Sequence, residues 1–173
     1  MLDTRDAVFS ECRTWRYQLT RHWDPDLRAL MVIGLNPSTA DEQQDDPTIR
    51  RCIRFARDLG YGGVAMTNLY GFRATAPADL HKVSDPLGPD NAYWLRETAK
   101  YAGMVIAAWG ADVGPYETWW KQIGWRIARA QVNAADDVHR GVYCLGTTRS
   151  GQPRHPLYLP AAARPEPWEP PDA

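Results

Sequence analysis

The sequence predicts a three-layer α/β/α fold with a central, mainly parallel four-stranded sheet and an N-terminal hairpin. Two observations carry this expectation. Short continuous apolar runs, Leu30 to Leu35 and Met104 to Trp109 among them, have the composition of strands buried on both faces. These runs alternate along the chain with segments of helical periodicity, the order that builds parallel sheets covered by helices. The 173 residues suffice for one domain of ordinary size. Residues 1–160 read as that domain, and 161–173, with Pro165, Pro167, Pro170 and Pro171, as a surface tail.

The elements follow in order. Cys12 to Trp23 alternates, with Trp15, Tyr17, Leu19 and Trp23 at every other position or nearly so, as a hairpin or a strand with its return does. Asp24-Pro25-Asp26 is a turn, and the strand after it stops at Asn36-Pro37-Ser38-Thr39. Asp46 then supplies an N-cap, and Pro47 a first-turn proline, to a helix with Ile49, Cys52, Ile53, Ala56 and Leu59 at helical spacing. Gly60 is placed to end it. Val64 to Leu69 reads as a strand and Pro89 to Ala102 as a helix. After the Met104 strand, Tyr116 to Ala130 reads as a helix with Trp120, Ile123, Ile127 and Ala130 on one stripe, and Gly141 to Leu145 as the closing strand.

Composition narrows the function. Hydrophobic residues make up 44% and charged residues 24%, which fits a folded soluble protein and excludes a disordered one. A net charge of -1 excludes a wholly basic nucleic-acid coat, so any such contact needs a local patch. All but Lys82, Lys100 and Lys121 of the 20 basic residues are arginines, which suit phosphates and carboxylates held in fixed geometry. Cys12, Cys52 and Cys144 form no CxxC pair, so neither a disulfide framework nor a metal site is expected, and no organic cofactor is called for. No apolar run approaches the roughly 18 residues of a membrane span, and the start MLDTRDAVFSECR lacks a signal-peptide core. A cytoplasmic monomer without membrane contact is the expectation.

Ligands of open parallel sheets sit beyond the carboxyl ends of the strands. The segments in that position are Gly34-Leu35-Asn36-Pro37-Ser38, Asn68 with Arg73 and Thr75, Trp109-Gly110, and the run from Thr147 to Pro156 with Arg149, Arg154 and His155. All four are expected to face one cleft.

The runs GLNPSTADEQQDDPTIRR, NLYGFRAT and PRHPLYL resemble an uncharacterised bacterial and phage family of unknown function. The order of motifs is also similar to the uracil-DNA glycosylase superfamily, in its mismatch-specific and thymine-DNA glycosylase branch. Gly34-Leu35-Asn36-Pro37-Ser38 resembles that branch's G-[IL]-N-P-G, Thr67-Asn68-Leu69-Tyr70-Gly71-Phe72-Arg73-Ala74-Thr75 its T-N-φ-V-x-R-x-T, and His155-Pro156-Leu157 the superfamily's late H-P-S loop. The resemblance implies a uracil-DNA-glycosylase-like fold that hydrolyses the N-glycosidic bond of a damaged, mismatched or modified pyrimidine flipped out of DNA. Such a site holds the extruded nucleotide, places a water beneath C1′ and stabilises the departing base. By the same resemblance Asn36 orients the water, Asn68 reads the pyrimidine edge, His155 donates to the base, and Arg149 and Arg154 grip the backbone.

Two departures bear on the substrate. Ser38-Thr39 stands where the branch carries a further glycine, and DEQQDDPTIRR holds no aromatic residue to stack on the base. A larger, modified base is therefore admitted as substrate, with roles in repair or in antiphage defence both open. Asp41 or Asp45 in place of Asn36 as the water-activating group also stays open, while Asp45-Asp46 serves most simply as a helix cap. Two rival functions stand beside the glycosylase: hydrolysis of free nucleosides or nucleotides, and a non-catalytic nucleic-acid-binding module.

Overall fold

The computed structural model describes residues 4–131 and 138–171. It is a mixed α/β fold around one seven-stranded sheet. The strands are β1 (Thr4–Phe9), β2 (Arg16–His22), β3 (Ala29–Gly34), β4 (Gly63–Asn68), β5 (Met104–Ala107), β6 (Tyr143–Cys144) and β7 (Glu166–Pro167), and the helices α1 (Pro47–Asp58), α2 (Asn91–Tyr101), α3 (Glu117–Lys121) and α4 (Ile123–Ala130). The sheet order is β1-β2-β4-β3-β5-β6-β7, with β4, β3, β5 and β6 parallel and the pairs β1–β2, β2–β4 and β6–β7 antiparallel.

The apolar run of β3 is explained by its two covered faces. Leu30 and Val32 pack with Ile49, Cys52 and Phe55 of α1, whereas Met31 and Ile33 pack with Leu95 of α2 and Ile123 and Ile127 of α4. Local chemistry sets the ends of α1: Asp46 Oδ1 accepts the Ile49 N–H at 2.8 Å, and Gly60, at φ +81, takes the left-handed conformation beyond the last turn.

Four expectations need correction. The sheet is larger than a four-stranded core beside a separate hairpin, because β2 pairs with β4 and closes what would be an open edge. The hairpin itself begins earlier, with β1 at Thr4–Phe9, and its connection is turned by Arg13 at φ +57. The helix expected from Tyr116 to Ala130 is interrupted at Gln122, whose N–H bonds back to Trp119 O, with the weak helix former Gly124 just beyond. Finally, the segment expected as a surface tail is partly built in. Glu166–Pro167 adds the last strand, and Trp168 is only 5% exposed, its Nε1 donating to Gly151 O at 2.9 Å and its ring edge-on to Trp109 at 5.0 Å. The large apolar area of one tryptophan suffices to dock the segment despite its prolines; residues 172–173 of the expected tail lie outside the described residues.

Candidate functional site

The chain runs from β3 to β4 on one side and returns to β5 on the other, so the strand order reverses at β3. Crevices in open α/β sheets form at the carboxyl ends of strands around such a switch. The segments leaving β3 and β4 stay zipped together beyond the strands, with Leu69 N donating to Gly34 O, Tyr70 N to Leu35 O and Ala74 N to Pro37 O, each at 2.9 Å. On the other side Gly110 N donates to Pro153 O at 2.9 Å, and Trp109 Nε1 donates to Gln152 Oε1 at 3.0 Å. Gly110 has φ +90, a conformation a side chain would strain, and it brings the late loop over the end of β5.

These ties enclose a cavity of about 410 Å³. Of the residues singled out from the sequence, Gly34, Leu35, Asn36, Ser38, Asn68, Thr75 and His155 line it. Asn36 Nδ2 donates to Ala74 O at 2.8 Å and Pro37 O at 3.0 Å, which fixes the amide and leaves Oδ1 as its acceptor. Asn68 is 1% exposed, and its Nδ2 is buried without a hydrogen-bond partner. Its backbone is braced by the fully buried Asn91, whose Nδ2 donates to Asn68 O at 3.1 Å and Leu69 O at 2.9 Å. His155 Nδ1 accepts the Leu157 N–H at 3.4 Å, which places the proton of the neutral ring on Nε2. Burial lowers the His155 pKa from its ordinary value, and the nearby Asp46 carboxylate opposes that shift.

Other expected residues are placed elsewhere. Pro37 is buried behind the wall, and Arg149 and Arg154 are exposed and do not line the cavity. Arg73 lines an adjoining cleft of about 350 Å³ with Arg13 and Thr14, sharing Ser38, Ala74 and Thr75 with the main cavity. Asp41 and Asp45 do not reach the cavity because both are engaged in the loop. Asp41 Oδ1 accepts the N–H groups of Gln43 and Gln44 at 2.9 and 2.8 Å, and Asp45 is ion-paired to the buried Arg21 at 2.8 Å. Asp46 is the carboxylate of this trio that does line the cavity.

Trp109 and Gly110, at the exit of β5, line the cavity as expected, whereas Arg16, Asp46 and Asp112 among the charged residues and the 75%-exposed Tyr158 were not foreseen. The signal for Tyr158 was its position three residues after His155; the rings lie 5.7 Å apart. Trp119 is buried beneath the exit of β4, with Nε1 donating to Leu69 O at 2.7 Å. A larger groove of about 550 Å³ lies at the opposite end of the strands, lined by Gln18, Leu27, Trp94 and Tyr101 among others. None of the described buried polar atoms lacking a partner belongs to its wall, so the smaller cavity is the better candidate. Among the described residues no cluster of His, Cys, Asp or Glu could hold a metal ion, and no helix is long and apolar enough to cross a membrane.

Residues 16–157 match the family model described as Protein of unknown function (DUF1643), and the chain belongs to that family. No curated protein and no solved structure matches it. The family carries no activity with it, so function is argued from the cavity.

Proposed function

We propose that this member of the family is a DNA glycosylase with a uracil-DNA-glycosylase-like fold, hydrolysing the N-glycosidic bond of a damaged, mismatched or modified pyrimidine flipped out of DNA. The observation that carries the proposal is the convergence of Asn36, Asn68 and His155 on one cavity, with a buried Asn68 Nδ2 left without an acceptor. An unpaired buried donor costs about 1–3 kcal/mol in a folded protein. A pyrimidine carbonyl at Asn68 would recover that cost and select for the edge that presents it.

The rest of the chemistry follows from the donors and acceptors. Asn36, its Nδ2 already occupied, offers Oδ1 to hold a water for attack at C1′ as the sugar develops oxocarbenium character. Asn36 takes up no proton: the C1′–N bond breaks with its electron pair on the base, water forms the C1′–O bond, and the proton the water then loses neutralises the base anion by way of solvent. His155, neutral and protonated on Nε2, donates to the base oxygen that gains this charge. Tyr158, at the rim, is the ring within reach of an extruded base and takes the part of the aromatic missing from residues 41–51.

A second function, hydrolysis of free nucleosides or nucleotides, is favoured by the charge around the opening. Arg13 is held by Glu42 at 2.9 and 3.0 Å, and Arg149 and Arg154 stand off the cavity, so the basic track for a polymer is short. The test is base release, by mass spectrometry, from DNAs carrying uracil, G·T mismatches, or hydroxymethylated and glucosylated pyrimidines, with free nucleotides alongside. Release from DNA that weakens with salt and disappears in Asn36→Ala supports the glycosylase. Release from nucleotides alone moves the function to the second class. No release by folded wild-type protein overturns both and leaves a binding module.

A further inference from the structure

Arg16 opens β2 and lines the cavity, yet it is 2% exposed. Its Nη1 donates to Ala40 O at 2.6 Å, while its Nε is buried with no hydrogen-bond partner. Arg21, five residues along the same strand, shows how this fold treats a structural buried arginine: Asp45 meets it at 2.8 Å, and Thr20 O and Asp41 O accept from it at 2.8 and 2.6 Å. No carboxylate among the described residues lies within ion-pair distance of Arg16; Asp46 and Asp41 act on it only through space. A buried cation without a matched anion is expensive to keep. Burial lowers its pKa to about 10, which still leaves it charged at neutral pH. Asn68 Nδ2 is a second buried donor without an acceptor on the same cavity. Two unmatched donors, one of them cationic, describe the complement of their ligand.

We propose that Arg16 makes this cavity anion-recognising, its guanidinium receiving an anionic oxygen carried by the ligand. The oxygen belongs either to a carboxylate on the base ring or to a phosphate on the sugar. A guanidinium provides several directed N–H donors, so a charged oxygen is preferred to an amide of the same shape. The inference deepens the proposed function by naming the substrate class, and it rests on the same cavity but not on bond cleavage.

Calorimetric titration of the full chain with two matched pairs tests it: uracil-6-carboxylate against uracil-6-carboxamide, and 2′-deoxyuridine 5′-monophosphate against 2′-deoxyuridine. The charged member of one pair should bind at least about tenfold tighter, and that preference should collapse in Arg16→Gln. Preference in the first pair assigns the anion to the base, in the second to the phosphate. Arg16→Gln loses the bond to Ala40 O and needs a folding check by circular dichroism. The wild type is decisive without it, because equal affinities within both pairs, or no binding of any of the four, overturn the proposal. A preference that survives in folded Arg16→Gln overturns it too. Base release from DNA reports separately on the glycosylase, so an anion-selective cavity that cuts no bond would refute that activity and leave this inference standing.

Discussion

Replacing Gly34 by alanine tests whether Asn68 is held in a position to read a ligand. A Cβ at Gly34 would stand 2.7 Å from Asn68 Oδ1 and 2.9 Å from Met66 Cε. Favourable separations between non-bonded carbons are about 3.5–4.0 Å, so these neighbours must retreat by roughly 0.5–1 Å. The Met66 methyl ends a flexible chain and can swing aside. Asn68 has less freedom, being buried with its backbone carbonyl held by Asn91. Overpacking of this kind costs about 1–3 kcal/mol, offset by about 0.5–1 kcal/mol for removing a strand glycine, leaving a net loss of about 0–2.5 kcal/mol. Function should suffer more, because a misplacement approaching 1 Å can cost about a hundredfold in a positioned site. Urea unfolding gives the first quantity; base release and titration with the uracil derivatives give the second. Gly124→Ala is the control, since its Cβ would meet only Pro170 Cδ at 3.8 Å and would gain helix propensity. A Gly34→Ala protein that binds and cleaves as the wild type does would refute the assignment of Asn68 as the reading group.

Four further outcomes are expected. Asp46→Ala should cost about 1 kcal/mol by uncapping α1, while Asp46→Asn keeps the cap and the stability; chemical denaturation separates the two, and a rate loss in Asp46→Asn at unchanged stability would expose a role of the carboxylate in the cavity. The depressed His155 pKa means that the unfolded chain takes up its proton first as the pH falls. The His155 contribution to stability should therefore decline as the pH drops through about 6.5 and level off below the folded-state pKa, and His155→Gln should flatten that part of the wild-type curve. Asp45→Asn breaks the pair with buried Arg21 and should cost up to about 3–5 kcal/mol, towards the lower end because Arg21 keeps two carbonyl acceptors; unchanged stability with abolished base release would instead make Asp45 the water-activating group. Trp168→Ala should cost about 3–5 kcal/mol in urea unfolding, since it empties a buried site against Trp109 on the cavity wall.

What the sequence determined by itself is what local chemistry and burial decide. The run Leu30 to Leu35 has the composition of a strand covered on both faces and holds most of β3, and Asp46-Pro47 with Gly60 bounded α1 because caps are interactions between near neighbours. The exits of β3, β4, β5 and β6 could be assigned to one crevice because parallel strands end on the same side of the sheet, and Asn36, Asn68 and His155 were legible as its lining on that ground. The tertiary structure decided the rest. Asp41, Asp45 and Asp46 are chemically alike, and the path of one loop past Arg21 sends the first two away from the cavity and leaves the third on its wall. Arg16 looked like one more polar position in an alternating strand, yet the β2–β4 pairing and the Arg16 N–H bond to Gly71 O carried it into the interior, onto the cavity that Asn68 also lines. Trp168 sat in a proline-rich stretch whose docking depends on a partner, Trp109, that is 59 residues away in the chain. Contacts of that range are set by topology, which no local propensity encodes, and they determine what this cavity can bind.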